Sequence, residues 1–212
     1  MIKTVLLENI ESEAAFHVAE ELADKYGCKV YAVRAKEEPL PENVIGIKID
    51  EIERALEGVA LDLLVLPIRD LPEDDPIGGT HDYEGLTELL TCQTTSSMTM
   101  VDRVRPLLEK SNFKRIALLT KEEASINYTQ SSQDFGRHMM MAAMNMQMKI
   151  IFNRLRPAGF TFRCYAEGDH TPGISAAKYF LMNFTYDPDD AYIHCEENRL
   201  VMRNGLMQEI PW

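Results

Sequence analysis

The stretch Val5–His17, VLLENIESEAAFH, reads as a buried strand running straight into an amphipathic helix. The apolar run IKTVLL that carries its first residues is continuous, as expected of a strand covered on both faces. Residues 12–26 then place Phe16, Ala19, Leu22 and Ala23 on one helical face, with Ser12 as N-cap and Gly27 as the stop. Where such a junction receives a phosphate, glycines let the ligand reach the backbone N–H groups at the helix start. No glycine precedes Gly27 here, and the turn is built with Glu8, Glu11 and Glu13 instead. Acidic side chains stabilise a bare helix N-terminus and repel an incoming anion.

Working outward, the periodicity alternates between strand and helix. KVYAVRA (29–35), VIGIKID (44–50), LDLLVLP (61–67), KRIALLT (114–120) and FTFRCYA (160–166) read as strands, with a last one around 191–203. KEEPLPEN, between the second and third, is too short and proline-rich for a crossover helix, and EIERALEG supplies at most two turns. Long helices are expected at about 84–110, broken only by Pro106, and at 133–156, with a shorter one at 174–185. The polar loop RDLPEDDPIGGTHDY leads into the first, and His81-Asp82-Tyr83 reads as that helix's start. This order specifies an α/β fold: a doubly wound, mostly parallel, Rossmann-like sheet of six or seven strands with helices on both faces.

Bulk properties agree with one globular domain over residues 1–212. Hydrophobic content is 45% and charged content 26%, the balance of a soluble protein. A net charge of −12 argues against nucleic acid or an anionic membrane as partner. No apolar run approaches the ~20 residues of a membrane span. MIKTVLLENIESE turns acidic too early for a secretory signal. Cys28, Cys92, Cys164 and Cys195 are scattered, so reduced thiols in a cytoplasmic protein are expected, and no metal site.

Several segments resemble the short-chain dehydrogenase/reductase family, in that family's order and spacing. MAAMNMQMKIIFNRLRPAGFTFRCYAEG is similar to the family's active-site helix and the strand after it. LDLLVLP looks like its fourth strand, RPLLEKSNFKRIALLT like a helix end and the fifth strand, and IPW like the tail of a short subgroup. The resemblance implies a nicotinamide dinucleotide and a Ser/Tyr/Lys triad, with the Tyr and Lys one helical turn apart. In this register Arg137 stands at the Tyr position, Met141 at the Lys position, and Lys121, beside Thr120, near the Ser position. None of the eight tyrosines is followed four residues later by lysine. The glycines of the cofactor turn become Asn9, Glu13 and Ala15, and the Asn-Asn-Ala-Gly after the fourth strand becomes Leu66, Pro67, Ile68 and Arg69. Only Asp50 matches the acidic residue expected near the adenine.

The expectation is therefore a fold without catalytic triad, bound cofactor or metal, retained as a non-catalytic binding or assembly subunit. Two alternatives stay open: an atypical NAD(P)-dependent oxidoreductase, and a cofactor-free isomerase, lyase or hydrolase in the vacated cleft. That cleft, beyond the carboxyl ends of the strands, draws Glu8, Arg69, Asp70, Lys121, Glu122, Arg137, His138, Glu167, Asp169 and His170. Lys121, Arg137 and His138 suit a small anionic ligand; solvated loop charges filling a disused site are the simpler reading. Met98, Met100, Val101, Val104 and Leu108 line one long helix; Met139, Met140, Met141, Met144, Met146 and Met148 crowd the other. They exceed what one sheet face can bury, so the two helices are expected to form a homodimer interface, or to pair with a catalytically intact relative.

Overall fold

The computed structural model describes residues 1–34, 39–69, 79–168, 173–183 and 199–212. The strands are β1 (Thr4–Leu7), β2 (Lys29–Val33), β3 (Val44–Ile47), β4 (Leu63–Pro67), β5 (Arg115–Lys121), β6 (Thr161–Glu167), β7 (Met202–Arg203) and β8 (Glu209–Ile210). They form one sheet in the order β3-β2-β1-β4-β5-β6-β7-β8. All neighbours are parallel except β7 and β8. The expected doubly wound architecture is present, with one strand more than the six or seven expected.

The additional strand comes from the tail. Asn204 Oδ1 accepts from the N–H groups of Leu206 and Gln208, which turns the chain back on itself. Of the strand expected around 191–203, residues 191–198 lie outside the described residues, and pairing is confined to Met202 and Arg203. Between β2 and β3 no described residue is helical, in keeping with the proline-rich sequence.

Among the described residues five α-helices flank the sheet: α1 (Glu13–Glu20), α2 (Ile52–Ala55), α3 (Tyr83–Leu108), α4 (Phe135–Leu155) and α5 (Ala176–Leu181). Ser12 Oγ caps α1 by accepting from Ala15 N, as its position predicts. The last turn, Glu21–Lys25, widens to a π-helix before Gly27 ends it at φ 64°. Pro106 does not break α3, which runs on to Leu108. Proline there removes the N–H that would bond Asp102 O, and because Asp102 is exposed, water can take that carbonyl.

Strand alternation divides the core. Val5, Leu7, Val65, Ala117 and Leu119 point to the side of α1 and α5, against Ala15, Ala19, Leu22 and Phe180. Leu6, Leu64, Leu66, Ile116 and Leu118 point to the other side, against α2, α3 and α4. Burial on both faces is why these strands read as unbroken apolar runs. Two of the buried arginines, Arg115 of β5 and Arg163 of β6, have a specific task. Arg115 donates to the carbonyls of Phe180 and Met182 at 2.6 and 2.9 Å, and Arg163 to Met182 O at 3.1 Å. Buried cations thereby meet the unsatisfied carbonyls and negative dipole end of α5.

The long helices correct one expectation. Met100, Val101, Val104 and Leu108 of α3, and Met140, Met141, Met144 and Met148 of α4, are all buried beneath the sheet. The sheet face does accommodate them, because the two helices pack side by side. What remains outside is smaller: Met98, Met139, Met146 and Ile150. The described helices contain no segment long and apolar enough to cross a membrane.

Truncating Met144→Ala should cost about 2–5 kcal/mol and lower the denaturant midpoint accordingly; an unchanged midpoint would remove Met144 from the core. Tyr165 donates to Ile174 O at 3.1 Å. Burial, with added repulsion from Glu167, Glu122 and Glu21, pushes its hydroxyl up to about 12. A pKa raised on folding means stability held below the unfolded value near ~10 and lost as pH rises through the folded one. Thermal unfolding between those values should show this loss, and Tyr165→Phe should flatten it.

Candidate functional site

The strand order reverses between β1 and β4, which opens the crevice where parallel sheets take their ligands. Three elements send polar side chains to this point. Glu8 follows β1 directly and is almost fully buried. Its Oε2 accepts from Asn9 Nδ2 at 2.8 Å, and its Oε1 from Ser96 Oγ of α3. Arg69, two residues beyond β4, donates to Glu8 Oε1 from Nη2 at 3.4 Å and to Glu11 from Nη1. Asn9 Nδ2 also donates to Pro67 O at 3.1 Å, tying β1 to β4. The fully buried Gln93 of α3 fixes the approach of Arg69: its Oε1 accepts from Arg69 N at 2.9 Å and its Nε2 donates to Pro67 O.

Burial works against the Arg69 charge, and Glu8 and Glu11 outweigh it, so the guanidinium is held above its ordinary pKa. The cluster is an ion pair that spans β1 and β4 at the crevice, with Arg69 Nε buried and without a partner among the described residues. Ala15, packed against the sheet with no exposed surface, suits a position that demands close helix–strand contact. Glu13 does not join this group. Its side chain is 89% exposed and lies 3.6 Å from His17, one turn along α1, so only Glu8 and Glu11 turn inward.

Two open cavities lie beside this crevice, at the carboxyl ends of β5 and β6. One, of about 420 Å³, lies between the start of α1 and the end of β5, with Ser12, His17, Thr120 and Lys121 among its walls. The other, of about 710 Å³, lies between the strand ends and the first turn of α4. Lys121 and Glu167 stand in register on adjacent strands and border both cavities. In the larger cavity they face Arg137 and the polar run Asn127–Ser131. Asp134 precedes α4 in a left-handed conformation, φ 52°, and does not cap the helix. Its carboxylate instead accepts from Arg137 Nη2 at 2.9 Å, with Glu123 Oε2 3.4 Å from the same nitrogen.

The single cleft expected from sequence is thus resolved into parts. Glu8 and Arg69 form the closed cluster, while Lys121, Arg137 and Glu167 share the larger cavity. His138 lines neither cavity: its Nδ1 is bonded to Asp134 O at 2.8 Å, and its Nε2 lies 4.0 Å from the Glu123 Oε2 that also meets Arg137. Helical geometry is the reason, since adjacent helix residues point about 100° apart. Glu122 also borders the larger cavity while accepting from Asn204 Nδ2 at 2.9 Å. Met141, at the lysine position of the resembled family, is fully buried core. Asp70, Asp169 and His170 lie outside the described residues. Among the described residues no cluster of three or more His, Cys, Asp or Glu side chains is arranged to hold a metal ion.

Sequence reading missed Gln93, Ser96 and Ser97, although Gln93 and Ser97 continue the helical period of Met100, Val101 and Val104. Polar residues on a buried helix face were the available signal. It also missed Asn127–Ser131, five consecutive hydroxyl or amide side chains before α4.

No family model matches the sequence, nor does any curated protein. Solved structures do. A Burkholderia multivorans protein assigned as a short-chain alcohol dehydrogenase is similar over 100% of both chains, with TM-score 0.76 and 17% identity. A second from that organism, assigned as a short-chain dehydrogenase/reductase and solved with bound NADP, gives TM-score 0.70 and 15% identity, again over 100% of both chains. Serine dehydrogenase from Escherichia coli gives 0.61 at 14% identity, covering 78% of this chain and 82% of its own. At such identities the likeness lies in the backbone: this chain has the short-chain dehydrogenase/reductase fold.

Proposed function

We propose that this chain works without a nicotinamide dinucleotide, as a non-catalytic binding or assembly subunit with a reductase fold. The observation that carries the reading is the Arg69–Glu8–Glu11 cluster at the β1/β4 switch point. A pyrophosphate at this position would have to displace a paired guanidinium and then face two carboxylates in a partly dry site. Breaking such a pair by removing one partner's contacts costs about 3–5 kcal/mol, comparable to what phosphate contacts return. The residues at this turn do not suit the cofactor. Arg137 and Met141 in place of Tyr and Lys support the same conclusion for the chemistry.

A second reading, an atypical NAD(P)-dependent reductase, draws on the NADP bound to the Burkholderia multivorans neighbour. A cofactor-free enzyme has less support, since His138 lines neither cavity even though it shares the Glu123 carboxylate with Arg137.

As a subunit the chain needs a surface for association. Met139, Met146 and Ile150 follow one another along α4 at intervals of seven and four residues, with Met98 exposed on neighbouring α3. In the resembled family the corresponding helices pair with their symmetry mates, and this apolar stripe supports an isologous homodimer, with a catalytically intact relative as the alternative partner.

Titrating NADH and NADPH into the protein by calorimetry should give no saturable binding; micromolar affinity for either overturns the proposal and promotes the reductase reading. Sedimentation at micromolar concentration should show a dimer that Met146→Glu converts to monomer. A monomeric wild type refutes the homodimer.

A further inference from the structure

We propose that the larger cavity, between the ends of β5 and β6 and the first turn of α4, binds a small hydroxylated primary amine as its ammonium ion. The inference deepens the reading above, in which the chain binds without a dinucleotide. Its centre is Glu122, which borders the cavity although the residue is only 9% exposed. Oε1 accepts from Asn204 Nδ2, a neutral donor, at 2.9 Å, and Oε2 has no partner among the described residues. A carboxylate withdrawn from water in this way needs a further donor, and a positive charge serves best. Gly168 keeps the second oxygen open. A Cβ at that position would lie 2.5 Å from Glu122 Cδ and 2.8 Å from Oε2, so the carboxylate rests on the cavity wall where only glycine leaves room.

The cations of the wall are already matched. Arg137 is held by Asp134 and Glu123, and Lys121 stands in register with Glu167 on the adjacent strand. Glu122, Glu123 and Glu167 outnumber Lys121 and Arg137 by one around the cavity, which suits a monocation. An inorganic ion fits less well, since among the described residues no three His, Cys, Asp or Glu side chains are arranged to hold one. An ammonium group asks for one charged acceptor and neutral ones beside it. Tyr128 and Gln130 border the same space, and a phenol oxygen and an amide can accept from the ammonium or exchange hydrogen bonds with ligand hydroxyls. A volume of about 710 Å³ accommodates an amine of several carbons.

D-Glucosamine is the probe, in mildly acidic buffer that keeps its amine protonated, measured by calorimetry and by amide NMR of the full chain. Saturable binding is expected, with shifts confined to residues near 121–131 and 167–168. N-Acetylglucosamine, the same ring without the charge, should show no saturable effect. Glu122→Gln keeps the acceptor for Asn204 and should weaken glucosamine binding about tenfold or more. Gly168→Ala, which crowds the carboxylate, should weaken it as well, whereas Glu109→Gln, an equal loss of charge at the exposed end of α3, should not. Absence of glucosamine binding, binding unchanged in Glu122→Gln, or N-acetylglucosamine or magnesium ion binding as tightly as glucosamine overturns the proposal. Where Glu122→Gln does not fold, Gly168→Ala decides the same question. NADPH binding alone would overturn the dinucleotide-free reading and leave the glucosamine result standing, so the two failures are distinguishable.

Discussion

The contact between Arg69 and the two glutamates is what distinguishes this molecule from a generic parallel α/β sheet. It joins the end of β1 to the end of β4 across the one place where the winding direction changes, and α3 completes it through Gln93 and Ser96. A doubly wound sheet has an intrinsic opening there, because helices leave in opposite directions from adjacent strands. Usually a ligand fills it. Here Arg69 and two glutamates pair across it, charges each of which would be costly to bury alone. The glycine-free turn follows from the same arrangement: a junction that hosts side chains needs Cβ atoms.

Beside this cluster, accessible surface runs from Ile68 and the start of α1, at Ser12 and Glu13, to the ends of β5 and β6. The Lys121–Glu167 pair becomes a saddle between two cavities, and the first turn of α4 contributes a guanidinium. On the proposed register with the resembled enzymes, Arg137 stands where they hold a proton donor, and a guanidinium cannot give up a proton near neutral pH.

The strands were legible from sequence because burial on both faces leaves continuous apolar runs, and α1 because Ser12 and Gly27 mark its ends. The two-residue strands of the tail were not, since no periodicity exists in so short a span and the turn depends on Asn204 accepting from two N–H groups. At the site, Arg69 and Glu8 were expected in one cleft with Lys121 and Arg137. Residue type alone could not say that they pair with each other and leave the other two across the sheet. His138 lies outside the cavity wall because a helix turns through 100° per residue, yet its ring reaches the same Glu123 carboxylate as Arg137. Gln93 went unread because its neighbours along α3 are apolar only when the helix is viewed down its axis.

The sheet's two margins differ. At one end β8 is two residues long, antiparallel to its neighbour, and bears Glu209 paired with Arg199. At the other, β3 is a four-residue parallel strand with Ile45 partly in solvent. A strand edge can template addition of another chain through its unpaired backbone groups, and short, charged edges do so poorly. Open-ended growth by edge-to-edge stacking requires both margins to accept a partner. The hairpin at the tail denies one of them, so any edge pairing through β3 terminates at a closed pair and does not propagate into a fibre.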